Sequence, residues 1–172
     1  MDPAVHFSVG ARVVHPSHGA GVIVGVQGKQ IGEIKNRYYI IDMHDMRVMV
    51  PVKRAATAGL RSVGREARIR RALAHCQERL ADDQVIRDYR QRKAALLEKL
   101  NSGEFSQWIS AVRVLHCLSE RRPLGTNDLQ MYKRGMDILA SELALASSTE
   151  FDDARQEIEA LLDCATEQPN AA

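Results

Sequence analysis

Aromatic residues are scarce: the 172 residues include four tyrosines, three phenylalanines and one tryptophan. Cysteine is scarcer still, with Cys76, Cys117 and Cys164 far apart and no CxxC pair. An odd number at such spacing signals neither a disulfide framework nor a zinc site, so ordinary buried or half-buried thiols are expected. His75-Cys76 and His116-Cys117 are neighbours in sequence, but adjacent helical residues point about 100° apart and do not readily share a ligand. No run of about 18 uncharged apolar residues exists, so no transmembrane helix is expected. The opening MDPAVHFSVGARVV also lacks the basic and apolar regions of a secretory leader, which makes a cytoplasmic protein the expectation.

What the chain does have is an uneven charge. Residues 1–62 carry 8 Lys/Arg against 4 Asp/Glu, residues 63–122 carry 13 against 8, and residues 123–172 carry 3 against 10. A basic middle followed by an acidic end points to an anionic partner for the middle, and nucleic acid is the commonest. Apolar residues make up 45%, enough for a real core.

The hydrophobic period changes once. Up to about residue 62, segments 11–15, 20–27, 37–43 and 46–52 are rich in Val, Ile and Tyr, and polar or glycine-containing links separate them. In MRVMVPV, Met46, Val48 and Val50 share one face of a strand, and Arg47, Met49 and Pro51 the other. Pro51 lacks a ladder donor, so that strand ends there or lies at an edge. Short strands of this kind imply a small antiparallel barrel, SH3-like or Tudor-like in size. From about residue 64 the period is helical. Ile69, Leu73 and Leu80 trace one stripe, and Val85, Tyr89, Leu96, Leu97 and Leu100 a second. Asn101-Ser102-Gly103 reads as a helix stop, with glycine in the left-handed position. A helix over about 104–119 follows, with Trp108, Phe105, Ile109 and Val112 on an apolar stripe. Thr126 or Asn127 is expected to cap a long helix to about 147, and Thr149 with Asp152 a last one to about 165. The fold class is α+β: a small β-barrel over 1–62, an all-α domain over 63–166, and a flexible tail over 167–172.

VVHPSHGAGVIVGV, residues 13–26, offers the strongest apparent motif for chemistry. His15 and His18 straddle Pro16-Ser17, yet nothing nearby completes a coordination set. The Gly-Ala-Gly that follows lacks GxxxxGK[ST] and precedes a strand, so no helix N-terminus waits for a phosphate. A turn between two strands accounts for the residues: Pro16 and Gly19 set its dihedrals, and Gly21 or Gly25 permits a bulge or close packing. No enzyme, metal or cofactor is expected.

FSVGARVVHPSHGAG resembles the opening of the bacterial CarD/CdnL family of RNA polymerase-binding transcription regulators. The resemblance continues through RYYIIDM, MRVMVPV and AGLRSV, then AALLEKLNSGEF and DILASELALASST, and covers about residues 7–162. It implies a Tudor-like N-terminal domain that docks on the polymerase β subunit, edge strand to edge strand, with Lys29, Tyr39, Arg47, Met49 and Pro51 on the docking face. Strand addition is physically reasonable, because a small sheet leaves edges unpaired and main-chain bonds supply affinity.

The same resemblance implies that the helical domain touches promoter DNA at the upstream edge of the transcription bubble. Related proteins place a tryptophan wedge about eleven residues before the last Leu of LEKL; that position here is Tyr89. Trp108 falls in the next helix, where core packing is the expectation. Arg87, Arg90, Arg92 and Lys93 surround Tyr89, and Lys133 and Arg134 match a further basic stretch. Such residues bind phosphates without reading sequence. The expected protein is a monomeric, non-enzymatic, nucleoid-associated regulator that stabilises the open complex, with a purely protein-binding adaptor as the alternative.

Overall fold

A computed structural model describes residues 6–31, 34–75 and 89–166. The chain divides into two compact units, Met1–Val63 and Gly64–Ala172. The fold is α+β: the described residues form an antiparallel five-stranded sheet followed by five α-helices.

In the first unit the strands are β1 (Arg12–His15), β2 (Gly19–Ile31), β3 (Ile34–Met43), β4 (Arg47–Pro51) and β5 (Arg61–Ser62). Their order in the sheet is β4-β3-β2-β1-β5. The sequence-derived segments anticipate β1 and β4 closely, but β2 and β3 run further, as a long hairpin, because they pair with each other from Gly21/Met43 out to Ile31/Ile34. One register shift, between Ile23 and Gly25, inserts a bulge at Val24. Gly21 does the close packing: a Cβ there would come within 2.5 Å of the Asp42 carbonyl oxygen. Gly19, at φ 87°, makes the turn out of β1 that an ordinary residue would resist. Val13, Ile23, Tyr39, Ile41, Met43, Val50, Ala55 and Leu60 form the core.

The second unit contains α1 (Glu66–Ala74), α2 (Tyr89–Asn101), α3 (Phe105–Arg121), α4 (Thr126–Ser147) and α5 (Phe151–Thr166). Gly103, at φ 71°, ends α2 as its sequence implies. Two expected caps are corrected. The cap position of α4 is Gly125, with no side-chain cap bond, so Thr126 lies inside the helix. Helix α5 begins at Phe151, and the Thr149 N–H instead donates to the Ala144 carbonyl, closing α4. Trp108 is 2% exposed, in a core with Phe105, Ile109, Val112, Leu115, Met136 and Leu139.

Helices α3 and α4 meet at a glycine. A Cβ on Gly135 would lie 2.4 Å from Val112 Cγ2, and the stiff β-branched valine cannot swing away. Gly135→Ala is therefore expected to destabilise the unit by about 1–3 kcal/mol, after about 1 kcal/mol of helix propensity is recovered. Chemical denaturation checks it: with Val112→Ala added, the pair should cost less than the two single changes together.

Candidate functional site

The outer face of the sheet is read from its register. Cross-strand rows run Asp42/Arg47, then Gly25/Ile40/Met49, then Gln27/Tyr38/Pro51, then Lys29/Asn36. Arg47, Met49, Pro51 and Lys29 therefore share one face, spread over roughly 20 Å at ~3.3 Å per residue. Val48 and Val50 face the core from the same strand. Tyr39 does not join its expected partners. It is 2% exposed, packs edge-on against Phe7, and its hydroxyl accepts the Phe7 N–H at 3.1 Å. Tyr39 is a core residue of the first unit, because alternation from Ile41 places it inward. Arg47 is exposed and pairs with Asp42 at 3.2 Å.

Strand β4 is an edge of this sheet. The Met43 N–H donates to the Met46 carbonyl at 2.9 Å, which fixes the phase of the ladder. Antiparallel bonding alternates, so Ile41/Val48 and Tyr39/Val50 are the bonded pairs. The N–H and C=O groups of Arg47 and Met49 then point away from β3 along the free edge. Pro51 stands at a position that needs no donor toward β3.

Lys29 lies further along the β2–β3 hairpin. Gly28, Lys29, Gln30, Asn36 and Arg37 line an open groove of about 460 Å³ there. The His15 and His18 rings lie 4.8 Å apart between centroids, tilted at 37°, and His15 Nδ1 accepts the Ser17 N–H at 3.1 Å, so they frame the turn between β1 and β2. Among the described residues no group of three His, Cys, Asp or Glu could hold a metal ion.

In the second unit the helices α2, α3 and α4 are joined by short turns, which makes neighbours antiparallel. The start of α2, the end of α3 and the start of α4 thus share one end of the bundle. A buried ion pair ties that end together: Arg92 Nη2 donates to Asp128 Oδ2 at 3.0 Å, with side-chain exposures of 2% and 5%. Asp128 sits in the first turn of α4, where a carboxylate complements the helix dipole. Its Oδ1 is buried without a hydrogen-bond partner. This corrects the expectation for Arg92. It is a core cation, not a surface one, because its position on α2 falls in line with buried Leu96 and Leu100.

The remaining cations of that end are outside. Arg90 is exposed and Lys93 half-buried on α2, Lys133 and Arg134 are exposed on α4, and Arg121 and Arg122 are exposed at the end of α3 and just after it. Arg87 lies outside the described residues, as does the side chain of Tyr89, whose backbone opens α2. Sequence reasoning missed Arg122 and misplaced Leu97, which is 40% exposed on the stripe of Arg90 and Ala94 rather than in the core. Charge alone marked Arg122; its turn at the shared end was the signal to use.

A second polar cluster stands on α3, α4 and α5. His116 Nδ1 lies 3.0 Å from the Tyr132 hydroxyl, and Nε2 lies 3.1 Å from Asp163 Oδ1, poorly aligned for a hydrogen bond. Burial, then the charges of Glu159 and Asp163, push the Tyr132 phenol upward, so it stays protonated. The cluster holds three helices together. Half-buried Cys117 has its thiol pushed up by burial, which disfavours the thiolate.

No helix among the described residues is long and apolar enough to cross a membrane. The family described as the CarD-like/TRCF RID domain matches residues 7–64, and the CarD C-terminal domain matches residues 76–159. A Bacillus subtilis (strain 168) protein, YdeB, described as a candidate transcription factor, is 27% identical over 139 residues. The match spans 80% of this chain and 90% of that relative. Together these findings support a role in transcription regulation and imply an interaction with RNA polymerase. With both domains matched in order, the chain belongs to the CarD/CdnL family of transcription regulators.

Proposed function

We propose that this protein docks on the β subunit of RNA polymerase through β4 and stabilises the promoter open complex through non-sequence-specific DNA contacts. The observation that carries the reading is the free edge of β4, where Arg47 and Met49 turn their main-chain groups outward beside a face bearing Lys29, Met49 and Pro51. A polymerase strand added there gains directional main-chain bonds, and Met49 supplies an apolar contact. Tyr39 supports this face from within.

Tethering raises the local concentration of the helical unit near the promoter. The α2 end, with Tyr89, Arg90 and Lys93, and with Arg122, Lys133 and Arg134 beside it, then meets the phosphates at the bubble edge. Arg87 belongs to the same stretch of sequence. Leu97 adds apolar surface to the stripe. Contacts stronger with opened than with closed DNA shift the promoter toward the open state, and about 1.4 kcal/mol suffices for a tenfold change. None of these roles is catalytic. Monomeric action in the cytoplasm, at the nucleoid, follows from this reading.

The test is open-complex lifetime on a GC-rich promoter with the cognate polymerase. Wild type should lengthen it, Met49→Ala should abolish the gain, and Tyr89→Ala or Arg90→Gln/Lys93→Gln should remove part of it. A variant set in which only Met49→Ala matters would leave docking and remove the DNA role, favouring the adaptor reading.

A further inference from the structure

We propose that α1 carries a second nucleic-acid contact: Arg65, Arg68 and Arg71 form an exposed stripe that binds the phosphate backbone of duplex DNA. This rests on the reading that the helical unit meets DNA, but it concerns a different surface. Residues 61–75 hold five arginines and one glutamate, the densest run of one charge in the chain.

The two flanks of α1 are not alike. Ile69 and Leu73 are buried and fix which side faces the core. At about 100° per residue, Arg70 falls on one flank of Ile69, and Arg68 and Arg71 on the other. Arg70 is neutralised: it donates to Glu66 at 2.7 Å and to Glu157 at 2.7 Å. On the opposite flank, Arg68 meets, among the described residues, only Glu104, in a pair whose side chains are 73% and 47% exposed. Exposed pairs of that kind contribute little and yield to a stronger anion. Among the described residues, Arg65 and Arg71 have no acidic partner. One flank is thus closed by carboxylates and the other left open.

Phosphate fits that open flank better than a protein partner does. Protein interfaces centre on apolar or aromatic anchors, and besides its arginines and Glu66, which pairs with Arg70, α1 exposes only Ala67 and Ala74. Arginine forks match phosphate oxygens. Side chains three apart on a helix lie ~5–6 Å from each other at Cβ, and one DNA strand presents a charge every ~3.4 Å of axis. Arg68 and Arg71 can therefore engage one strand together.

The stripe is separate from the α2 end. Arg68 touches Glu104, beyond the far end of α2 from Arg90. The thirteen residues of α2 span ~20 Å, more than the ~8–10 Å over which salt screens a charge. The two patches should contribute independently to salt dependence.

The experiment is anisotropy titration of full-length protein onto random-sequence duplex DNA between 50 and 200 mM salt. Arg68→Gln/Arg71→Gln should flatten the slope of log affinity against log salt by nearly two, at ~0.9 per phosphate, equally for unrelated sequences. Arg68→Lys/Arg71→Lys should keep the slope, which separates lost charge from lost folding. An unchanged slope in the glutamine variant, with Arg90→Gln/Lys93→Gln flattening it, overturns this proposal and leaves the α2 contact standing. If wild type shows no salt-dependent binding, both fall together. If the glutamine variant weakens polymerase binding without DNA, the stripe is a protein surface and the proposal is wrong.

Discussion

Asp128→Ala is expected to lower the unfolding free energy by about 3–5 kcal/mol, the cost of leaving a buried charge without its partner. Arg92 and Asp128 are held in the core of the second unit, 36 residues apart in sequence and 3.0 Å apart in space. Alanine at 128 takes the paired carboxylate away from a guanidinium that lies 1% exposed. The loss should appear as a lower denaturant midpoint with an unchanged slope. Asp128→Asn should be milder, because an amide oxygen still accepts one bond. The instructive variant is Arg92→Met/Asp128→Leu, which removes both charges and fills the space. It should fold at least as stably as wild type, since the desolvation of two ions is avoided. If Asp128→Ala instead costs under about 1 kcal/mol, the pair is solvated as surface pairs are. The double variant also bears on function. With Arg92 buried, removing it together with Asp128 should leave the salt slope of DNA binding where it was.

Met49→Pro should weaken binding to the polymerase β subunit by about 10- to 100-fold, the worth of a hydrogen bond whose partner is left unsatisfied, about 1–3 kcal/mol. The ladder phase places the Met49 N–H on the free side of β4, so proline there removes a donor that β3 does not use. Edge strands tolerate proline for this reason. Met49→Ala keeps the N–H and loses the side chain, which separates main-chain from side-chain contributions. Val50→Pro is the internal control, because its N–H belongs to a bonded pair with Tyr39; it should unfold the strand. Binding of Met49→Pro at wild-type strength, measured by pull-down or interferometry, would rule out strand addition at this edge.

These two predictions draw on unlike amounts of sequence. The alternation in MRVMVPV already separated Arg47, Met49 and Pro51 from Val48 and Val50, and the proline already argued for an edge. Period two is local, and a strand cannot violate it without turning its apolar side to water. By contrast, the reach of β2 and β3 was underread, because Gln27–Gln30 and Lys35–Arg37 carry little apolar signal and pair only because the hairpin continues. The caps at Thr126 and Thr149 were misread for a related reason. Several capping residues sit together at each site, and helix packing selects the start.

The two-domain α+β order, the helix stop at Gly103, the core place of Trp108 and the turn at His15–His18 were determined by the sequence itself. Each depends on local dihedral preference or on a periodic apolar face. Which arginine stays outside was decided only by the tertiary structure. Arg90, Arg92 and Lys93 are equivalent in composition and close on one helix, and a rotation of about 200° separates the first two. Arg92 turns inward because Asp128, on another helix, meets it there, and the hydroxyl that strand alternation carries inward on Tyr39 is satisfied by the Phe7 N–H. Burying a polar group is tolerable only when a partner waits in the interior, and such partners come from distant parts of the chain that only the folded state brings together.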